Sequence, residues 1–546
     1  MCYRAILVDD WSISKLMLLK TYFSIWQALK GKRRVSRYVM VASLWLVVVL
    51  VGFGLLRNVV GVRAAYPDIL NTVFLDGSDP AFTIATVGSG DNVSYSVTDF
   101  AGATVMSGRA QAVEGQVYLT LPQLGDDYYV LHVTDQQGGN TSSQTISFAV
   151  LSAFDGGAGT PFGVGVHVLG THNARLAQLV AAMGVGMVRD DATWATVERT
   201  QGSYNFSSFD PSMQILQQNN LDPLLILDYN NRFYDNGQTP YDAAGFAAFA
   251  TYAKALVLHY GQQVKEVEVY NEYNGTFSTG PCARKPACYA ELLRYTYQAI
   301  KSVRPDVTVV GGAVFSADMS WFKQLFADGA LAYMDAVSDH PYAPLDLVSP
   351  EVQGLEEEMQ KLQGLIRQYN HGVAKPIWIT EIGWPSCLLH VSERTQADYL
   401  VRSMVLSQAA GVQKILWYDA VNDGSDTTNI EQNFGLLRQP DAMGRYTPKP
   451  DYVAYAVLIR ELANRSFLGR ENVFPGIYDM RYSGNLRLFW STPFSQSVSL
   501  STNTPVTEIS MTGSSQTLVP SNGRILLKVT PDPVYILGNI SGVSWL

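Results

Sequence analysis

The feature that most constrains the fold is a regular alternation of short apolar runs and longer helical patterns over residues 160–465. Eight candidate strands occur there, at 162–167, 186–189, 224–227, 264–270, 307–312, 336–338, 376–380 and 414–418. The longest helical patterns between them are at 243–259, 289–303, 351–369 and 392–410. Eight strands that are each followed by a helix predict a closed (β/α)8 barrel. An open, doubly wound sheet is the alternative, but no Gly-rich phosphate loop follows the first strand.

The segments on either side of the predicted barrel have the two-residue periodicity of β-strands. Residues 66–152 contain four such stretches, at 93–97, 117–121, 129–133 and 146–150, separated by clusters of turn-forming residues. They predict a small β-sandwich, and residues 155–161 are typical of a linker. Residues 466–546 return to the same alternation and predict a second β domain against the side of the barrel. The predicted fold class is therefore α/β: a TIM barrel flanked by an N-terminal β-sandwich and a C-terminal β domain.

An uncharged apolar run of 18 residues at 39–56 indicates how the chain is placed in the cell. Its length is at the lower limit for a membrane-spanning helix, and a basic cluster at 30–37 precedes it directly. The positive-inside rule then predicts a cytoplasmic segment at 1–37, a transmembrane signal-anchor at 38–58 and a catalytic domain outside the cell. Cleavage of a signal peptide just before Ala65, with secretion, is the alternative, although the apolar run is longer than in most cleavable signals.

The charge of the chain is divided unevenly. Residues 1–65 hold ten Lys and Arg against two Asp and Glu, whereas the remainder holds 29 against 46. An acidic main body argues against nucleic acid as a partner, because neutralising phosphates requires a basic surface. It suits a neutral polysaccharide or oligosaccharide better than a polyanion.

The four cysteines do not form a disulfide framework or a metal site. Cys2 is predicted to be cytoplasmic, while Cys282 and Cys288 are close enough in sequence to close a loop in an oxidising compartment. Cys387 is left over and is an alternative partner for either of them. No spacing of Cys and His suggests a metal, and the sequence predicts no cofactor.

Two glutamates are found in matching positions after apolar runs. Glu272 follows the fourth candidate strand directly behind Asn271, and Glu381 follows the seventh strand. Active-site residues of such barrels project from the carboxyl ends of the strands, so both are candidates for the site. Other strand-end residues with suitable chemistry are Arg189, His340, Tyr342 and Trp417.

Glycoside hydrolysis requires two carboxyl groups, and these two glutamates provide them at one end of the predicted barrel. One group must protonate the leaving oxygen while the other stays ionised to attack the anomeric carbon. A cation such as Arg189 beside Glu381 would favour the ionised form. Retention of anomeric configuration predicts carboxyl groups about 5–5.5 Å apart, and inversion a separation above about 6.5 Å. Asn271 is expected to bind the substrate 2-hydroxyl, and Trp417 to provide an apolar floor for the sugar.

The residues after the strands resemble those of the retaining glycoside hydrolases of clan A. The resemblance rests on Asn271 and Glu272 after strand four, Glu381 after strand seven, Arg189, the pair His340 and Tyr342, Trp417, and the Lys449 to Tyr452 stretch. It implies that Glu272 is the acid/base and Glu381 the nucleophile. The stretch from Arg189 to Trp194 is most similar to family 39 and to related family 5 barrels, whereas Tyr273 stands where the clan usually has proline.

These observations predict a retaining glycosidase that cleaves β-glycosidic bonds of an extracellular polysaccharide or oligosaccharide. A transglycosylase with the same two glutamates is one alternative, because acceptor choice depends on the shape of the cleft. A non-catalytic carbohydrate-binding envelope protein is the other, and the presence of both glutamates argues against it.

Overall fold

The structure, a computed structural model, describes residues 72–546 except 76, 87–92, 138–139, 155–158 and 343–346. The predicted cytoplasmic segment at 1–37 and the signal-anchor at 38–58 therefore lie outside the described residues. Among the residues that are described, no helix has the length and apolar character needed to cross a bilayer.

The N-terminal residues form two sheets around one small core. A five-stranded sheet has the order β1-β7-β6-β3-β4, and β2 pairs with β5 in a second sheet. The strands are β1 (Val73–Leu75), β2 (Ala81–Ala85), β3 (Val93–Thr98), β4 (Thr104–Ala110), β5 (Gln116–Thr120), β6 (Asp127–Gln137) and β7 (Asn140–Leu151). Side chains of both sheets, such as Ile84 and Phe148, are buried against each other. The predicted N-terminal β-sandwich is confirmed.

The central part is a closed barrel of eight parallel strands. They are β8 (Phe162–Gly165), β9 (Met187–Asp191), β10 (Asp222–Leu227), β11 (Glu266–Val269), β12 (Thr308–Phe315), β13 (Ala336–His340), β14 (Ile377–Ile382) and β15 (Lys414–Trp417). Neighbouring strands pair in sequence order, and β15 pairs with β8 to close the ring. All eight predicted strands are present, and most of their residues are buried, as is usual for parallel strands that are covered on both faces.

Helices follow the strands and cover the outside of the barrel. They are α1 (Ala174–Ala182), α2 (Trp194–Val197), α3 (Asp210–Gln218), α4 (Ala243–Tyr260), α5 (Pro286–Lys301), α6 (Met319–Ala327), α7 (Pro350–Gln353), α8 (Leu355–Tyr369), α9 (Glu393–Ala409) and α10 (Pro450–Leu462). The helix predicted at 351–369 is divided into α7 and α8. Gly354 lies between them with φ +80°, a left-handed conformation that ends one helix before the next begins.

The C-terminal residues form a second pair of sheets. A six-stranded sheet has the order β16-β17-β18-β23-β20-β21, and a three-stranded sheet has the order β22-β19-β24. The strands are β16 (Phe467–Glu471), β17 (Ile477–Tyr482), β18 (Leu486–Ser491), β19 (Gln496–Ser501), β20 (Val506–Ser510), β21 (Ser515–Leu518), β22 (Arg524–Val529), β23 (Val534–Leu537) and β24 (Gly542–Trp545). The indole Nε1 of Trp490 donates to Glu351 Oε1 (2.8 Å), which joins this domain to the barrel at α7.

Candidate active site

Glu272 and Glu381 face each other at the carboxyl ends of β11 and β14. One carboxyl oxygen of each and a ring nitrogen of His340 all lie within 4.8 Å of one another. Both glutamate side chains are only 12% exposed, so their charges interact with little screening by water. Glu381 is still part of β14, whereas Glu272 lies three residues beyond β11.

The backbone around Glu272 leaves strand geometry to bring its side chain inward. Tyr270 and Glu272 have φ values of 67° and 42°, in the left-handed region that non-glycine residues seldom adopt. The Gly275 amide donates to Glu272 O (2.8 Å) and closes a turn directly after it. Such unfavourable backbone conformations are concentrated at functional sites, where the surrounding structure holds them in place.

Arg189 joins the site residues from below. Its Nη1 donates to Glu381 Oε2 (2.8 Å), and its Nη2 donates to Asn271 Oδ1 (2.7 Å). The side chain of Arg189 on β9 is itself buried. Because Arg189 occupies the amide oxygen of Asn271, the Asn271 Nδ2 group is the part of that amide left to donate to other groups.

A third buried carboxylate, that of Glu268, balances Arg189. Arg189 Nε donates to Glu268 Oε2 (2.7 Å), and the Thr380 hydroxyl donates to Glu268 Oε1 (2.8 Å). Burial favours the neutral acid, but the charges of Arg189 and His340 outweigh it and hold the pKa of Glu268 below its ordinary value. Sequence reasoning did not identify Glu268 or Thr380. The available signal was the Glu-Val-Glu-Val alternation of β11, in which every second residue is charged.

His340 lies closest to Glu272, and Tyr342 contacts Glu381. His340 Nδ1 is 3.0 Å from Glu272 Oε1, and its Nε2 is 3.0 Å from the Thr380 hydroxyl. The Tyr342 hydroxyl donates to Glu381 Oε1 (2.6 Å). Burial opposes protonation of His340, but the carboxylates of Glu381 and Glu272 outweigh that effect and raise the pKa of this imidazole.

Trp417 is fully buried at the end of β15, where its ring stacks on Trp384 with centroids 6.1 Å apart. Its Nε1 has no hydrogen-bond partner in the part of the chain that the structure describes. The predicted role of Trp417 as the floor of a sugar site stays a prediction.

A second cluster of polar side chains lies near the carboxyl ends of the first and last barrel strands. His167 Nε2 is 3.3 Å from Asp419 Oδ2, and Asp190 accepts the amides of Val168 and Leu169 (2.8 Å each). The donor atoms of His167, Asp190 and Asp191 are close enough together for a metal ion, as are those of Glu272, His340 and Glu381. These contacts among the protein groups account for the clustering without a metal.

Comparison with known proteins connects this geometry to a chemistry. The model of the glycosyl hydrolase catalytic core matches residues 241–446, which include both glutamates, His340 and Trp417. This finding supports a glycosidase, as the sequence predicted.

Solved structures show the same architecture. A family 39 glycoside hydrolase from the gut symbiont Bacteroides cellulosilyticus WH2 has a TM-score of 0.73 and 23% identity, covering 86% of this chain and 99% of that chain. A monomeric β-xylosidase from Caulobacter crescentus CB15 has a TM-score of 0.51 and 17% identity, covering 69% and 95%. At these identities the likeness concerns the fold, and it confirms the predicted resemblance to the clan A barrels. No curated protein matches the sequence.

The loop after Glu272 is closed by a disulfide between Cys282 and Cys288, one of the pairings that the sequence left open. Cys387 lies elsewhere, with its Sγ 3.3 Å from His390 Nδ1.

Proposed function

We propose that the protein is a retaining β-glycosidase that acts by double displacement. The observation that supports it most directly is the approach of the two carboxyl groups, with one oxygen of each within 4.8 Å. Retaining enzymes hold their carboxyl groups about 5–5.5 Å apart, whereas inverting enzymes need about 6.5–9.5 Å to admit a water molecule. The nucleophile can therefore reach the anomeric carbon directly.

Glu381 is the nucleophile in this proposal. It accepts hydrogen bonds from the Arg189 guanidinium and the Tyr342 hydroxyl, and both stabilise its ionised form. In the first step a Glu381 oxygen bonds to the anomeric carbon as the glycosidic C–O bond breaks. In the second step water attacks that carbon and releases Glu381.

Glu272 is the acid/base. Its carboxyl contacts the imidazole of His340 and, unlike Glu381, has no contact with Arg189, so it can accept and give up a proton during the cycle. It protonates the leaving oxygen in the first step and removes a proton from water in the second. Asn271, whose Oδ1 accepts from Arg189, is assigned to donate through Nδ2 to the 2-hydroxyl of the substrate.

The substrate in this proposal is an extracellular polysaccharide or oligosaccharide, and the chain is attached to the cell membrane by the apolar segment at 39–56. The Cys282–Cys288 disulfide supports an oxidising compartment, because disulfides are rare in the cytosol. The anchor is tested by determining the amino terminus of the mature protein. A terminus near Ala65 would replace the anchor with a cleaved signal.

The glutamate roles are tested with Glu381→Gln and Glu272→Gln on β-glucans, xylans, mannans and aryl glycosides. We expect Glu381→Gln to abolish turnover on every substrate. Glu272→Gln should lose about 10²–10⁴-fold on polysaccharides but retain slow cleavage of aryl glycosides with acidic leaving groups, which need little protonation. Exposed Glu357 on α8 provides the matched control Glu357→Gln, with wild-type rates expected. Wild-type turnover in the Glu381 variant would eliminate the assigned nucleophile.

A further inference from the structure

A chain of hydrogen bonds runs beneath the candidate acid from one strand to the next. Glu268 on β11 contacts the Thr380 hydroxyl on β14 (2.8 Å), which is 3.0 Å from His340 Nε2 on β13. His340 Nδ1 then meets Glu272 Oε1 at 3.0 Å. Glu268, Thr380 and His340 are at most 1% exposed, so their hydrogen bonds are not exchanged with solvent.

The direction of the first two hydrogen bonds follows from the charge of Glu268. Its carboxylate is paired with Arg189 (2.7 Å) and is ionised, so it can only accept. The Thr380 hydroxyl has a single hydrogen and must donate it to Glu268. Its oxygen then accepts, and the remaining partner, His340 Nε2, must carry a hydrogen.

Because Nε2 carries a hydrogen, the hydrogen bond of His340 to Glu272 depends on the protonation of Nδ1. With Nε2 protonated, a neutral imidazole presents a lone pair at Nδ1 toward Glu272 Oε1. A hydrogen bond between these two atoms then requires one further proton, located on either Nδ1 or Glu272. If that proton is absent, a carboxylate and a lone pair face each other 3.0 Å apart, which is unfavourable.

We propose that Glu268 and Thr380 are positioning residues that keep one transferable proton between His340 and Glu272, ready for the leaving group. The proposal rests on the proposed acid/base role of Glu272. The proton passes to the leaving oxygen as the glycosidic bond breaks, and the pair is left without it. The resulting carboxylate faces the Nδ1 lone pair and is therefore a stronger base toward the water of the second step, whose proton restores the starting state.

Several other charges face His340 and must be held constant in a test. Glu381 Oε2 is 3.6 Å from Nδ1, Arg189 interacts with the same imidazole from β9, and Asp339 precedes it on its own strand. Substitution of Thr380, which is uncharged, leaves all of these groups unchanged.

The experiment compares Thr380→Val with Thr380→Ser through the pH profile of kcat/KM. In Thr380→Val, His340 Nε2 loses its acceptor. The imidazole then favours the tautomer that carries its hydrogen on Nδ1 and donates it to the Glu272 carboxylate, so the pair is stable with one proton fewer. The transferable proton is then lost at lower pH. We expect the alkaline limb to move down by about one to two pH units, the effect of one hydrogen bond to a charged group. Thr380→Ser retains the hydroxyl and should keep the wild-type profile.

A second variant tests the same hydrogen-bond chain without altering Thr380. In Glu268→Gln, the amide oxygen can still accept from Arg189 while its NH₂ group donates to the Thr380 oxygen. The Thr380 hydroxyl then donates to His340 Nε2, which reverses the chain. Glu268→Gln also removes a negative charge that favours protonated His340, so we expect a downward move of the alkaline limb at least as large as in Thr380→Val. Thr296→Val, at a buried threonine on α5 whose hydroxyl donates to Leu292 O, controls for loss of a buried hydroxyl and should leave the profile unchanged.

The leaving group separates proton delivery from structural damage. With a dinitrophenyl glycoside, whose first step needs no acid, kcat/KM of Thr380→Val should stay within about threefold of wild type, because kcat/KM reports only that first step and not the base-catalysed second step. Two results for Thr380→Val would overturn the positioning role. One is an equal loss of activity on all substrates with an unchanged alkaline limb, and the other is a wild-type pH profile. If either result is found while Glu381→Gln is inactive, the positioning role is wrong and the proposed function is retained. Active Glu381→Gln removes the proposed function itself.

Discussion

At the scale of single residues, His167 connects the first and last barrel strands through a charge contact. Its Nε2 is 3.3 Å from Asp419, and this hydrogen bond, with the charge of Asp419, raises the pKa of His167 to about 10. The imidazole is 47% exposed, so solvent weakens the contact. The two residues are 252 positions apart in the sequence, and only closure of the barrel between β15 and β8 brings them together.

The raised pKa of His167 predicts a pH-dependent contribution to stability. The unfolded pKa is about 6.5, so stabilisation by protonated His167 is complete below that pH and is lost as the pH rises toward 10. We expect His167→Gln to lower Tm at pH 6, corresponding to roughly 0.5–1 kcal/mol after allowance for screening, and to differ little from wild type at pH 10. Thermal unfolding at both pH values measures this. His132→Gln, at an exposed histidine of the N-terminal sheet, should not show the trend, and an equal deficit at both pH values would contradict it.

How much of the site is predictable from sequence also differs by residue. Glu272 and Glu381 are recognisable because each follows an apolar run and has an informative neighbour. Glu268 and Thr380 lie inside such runs, where the sequence does not show which side of the strand faces the barrel interior. Their roles depend on contacts between β11, β13 and β14, and these contacts join residues 40 and 112 positions apart.

At the scale of elements, the loop after β11 is held firmly beside the candidate acid. Asn274 Nδ2 donates to Phe315 O (3.0 Å), and Phe315 N donates back to Asn274 Oδ1 (2.9 Å). The Cys282–Cys288 disulfide closes the same loop further along. Phe277 is 44% exposed on this loop, and its ring stacks on Tyr229 with centroids 5.4 Å apart.

The position of Phe277 predicts contact with the leaving group. An acid must lie beside the leaving oxygen, so the loop that follows Glu272 borders the leaving-group side of the cleft. A sugar ring there can stack on the exposed aromatic face. We expect Phe277→Ala to lower kcat/KM for an oligosaccharide by roughly three- to tenfold, the usual strength of such a contact. The glycosyl fluoride of the same sugar has no leaving-group ring and should react at the wild-type rate.

Phe494→Ala is the control for this loop prediction, since Phe494 is 76% exposed in the C-terminal domain. It should leave both substrates unaffected. Equal loss on the oligosaccharide and the fluoride in Phe277→Ala would indicate damage to Glu272 rather than loss of a sugar contact.

The element boundaries show where sequence patterns are sufficient. Every barrel strand is predicted because each contains buried apolar residues at strand spacing, although β9 and β13 end in polar residues. The short strands β1, β2 and β4 of the N-terminal sheets are not predicted. Strand β4, for example, is exposed or half-buried along its whole length and so lacks the alternation that identifies β3. Gly354 divides α7 from α8. The sequence on both sides of it has the apolar and acidic pattern of one continuous helix, so this division is not predicted.

At the scale of the whole molecule, the N-terminal sheet is joined to the barrel by a partly buried polar junction. Arg438, in the segment between β15 and α10, donates through Nη1 to Ser147 Oγ on β7 (2.7 Å) and to Pro448 O (2.8 Å). Its Nε donates to Glu393 at the start of α9 (3.0 Å). Ser147 Oγ also donates to Pro448 O (2.7 Å). One guanidinium group therefore binds a strand, a loop and a helix from different parts of the chain.

This junction predicts that Arg438 stabilises the assembly of sheet and barrel without taking part in catalysis. Arg438→Met keeps much of the side-chain volume but leaves Glu393 and Ser147 without their donor, and hydrogen bonds to a charged group contribute about 1.5–3 kcal/mol. We expect Tm to fall by about 3–6 °C, since about 1 kcal/mol shifts Tm by a few degrees in larger proteins. Ser147→Ala should cost less, and the double variant should cost less than the sum because the two residues share a contact. Arg294→Met, which removes a pair with Glu291 within the single helix α5, should change Tm by under about 1 °C. Unchanged kcat/KM at 25 °C in Arg438→Met would place its role in stability, whereas a loss of activity in the folded variant would show that the N-terminal sheet supports the active site as well.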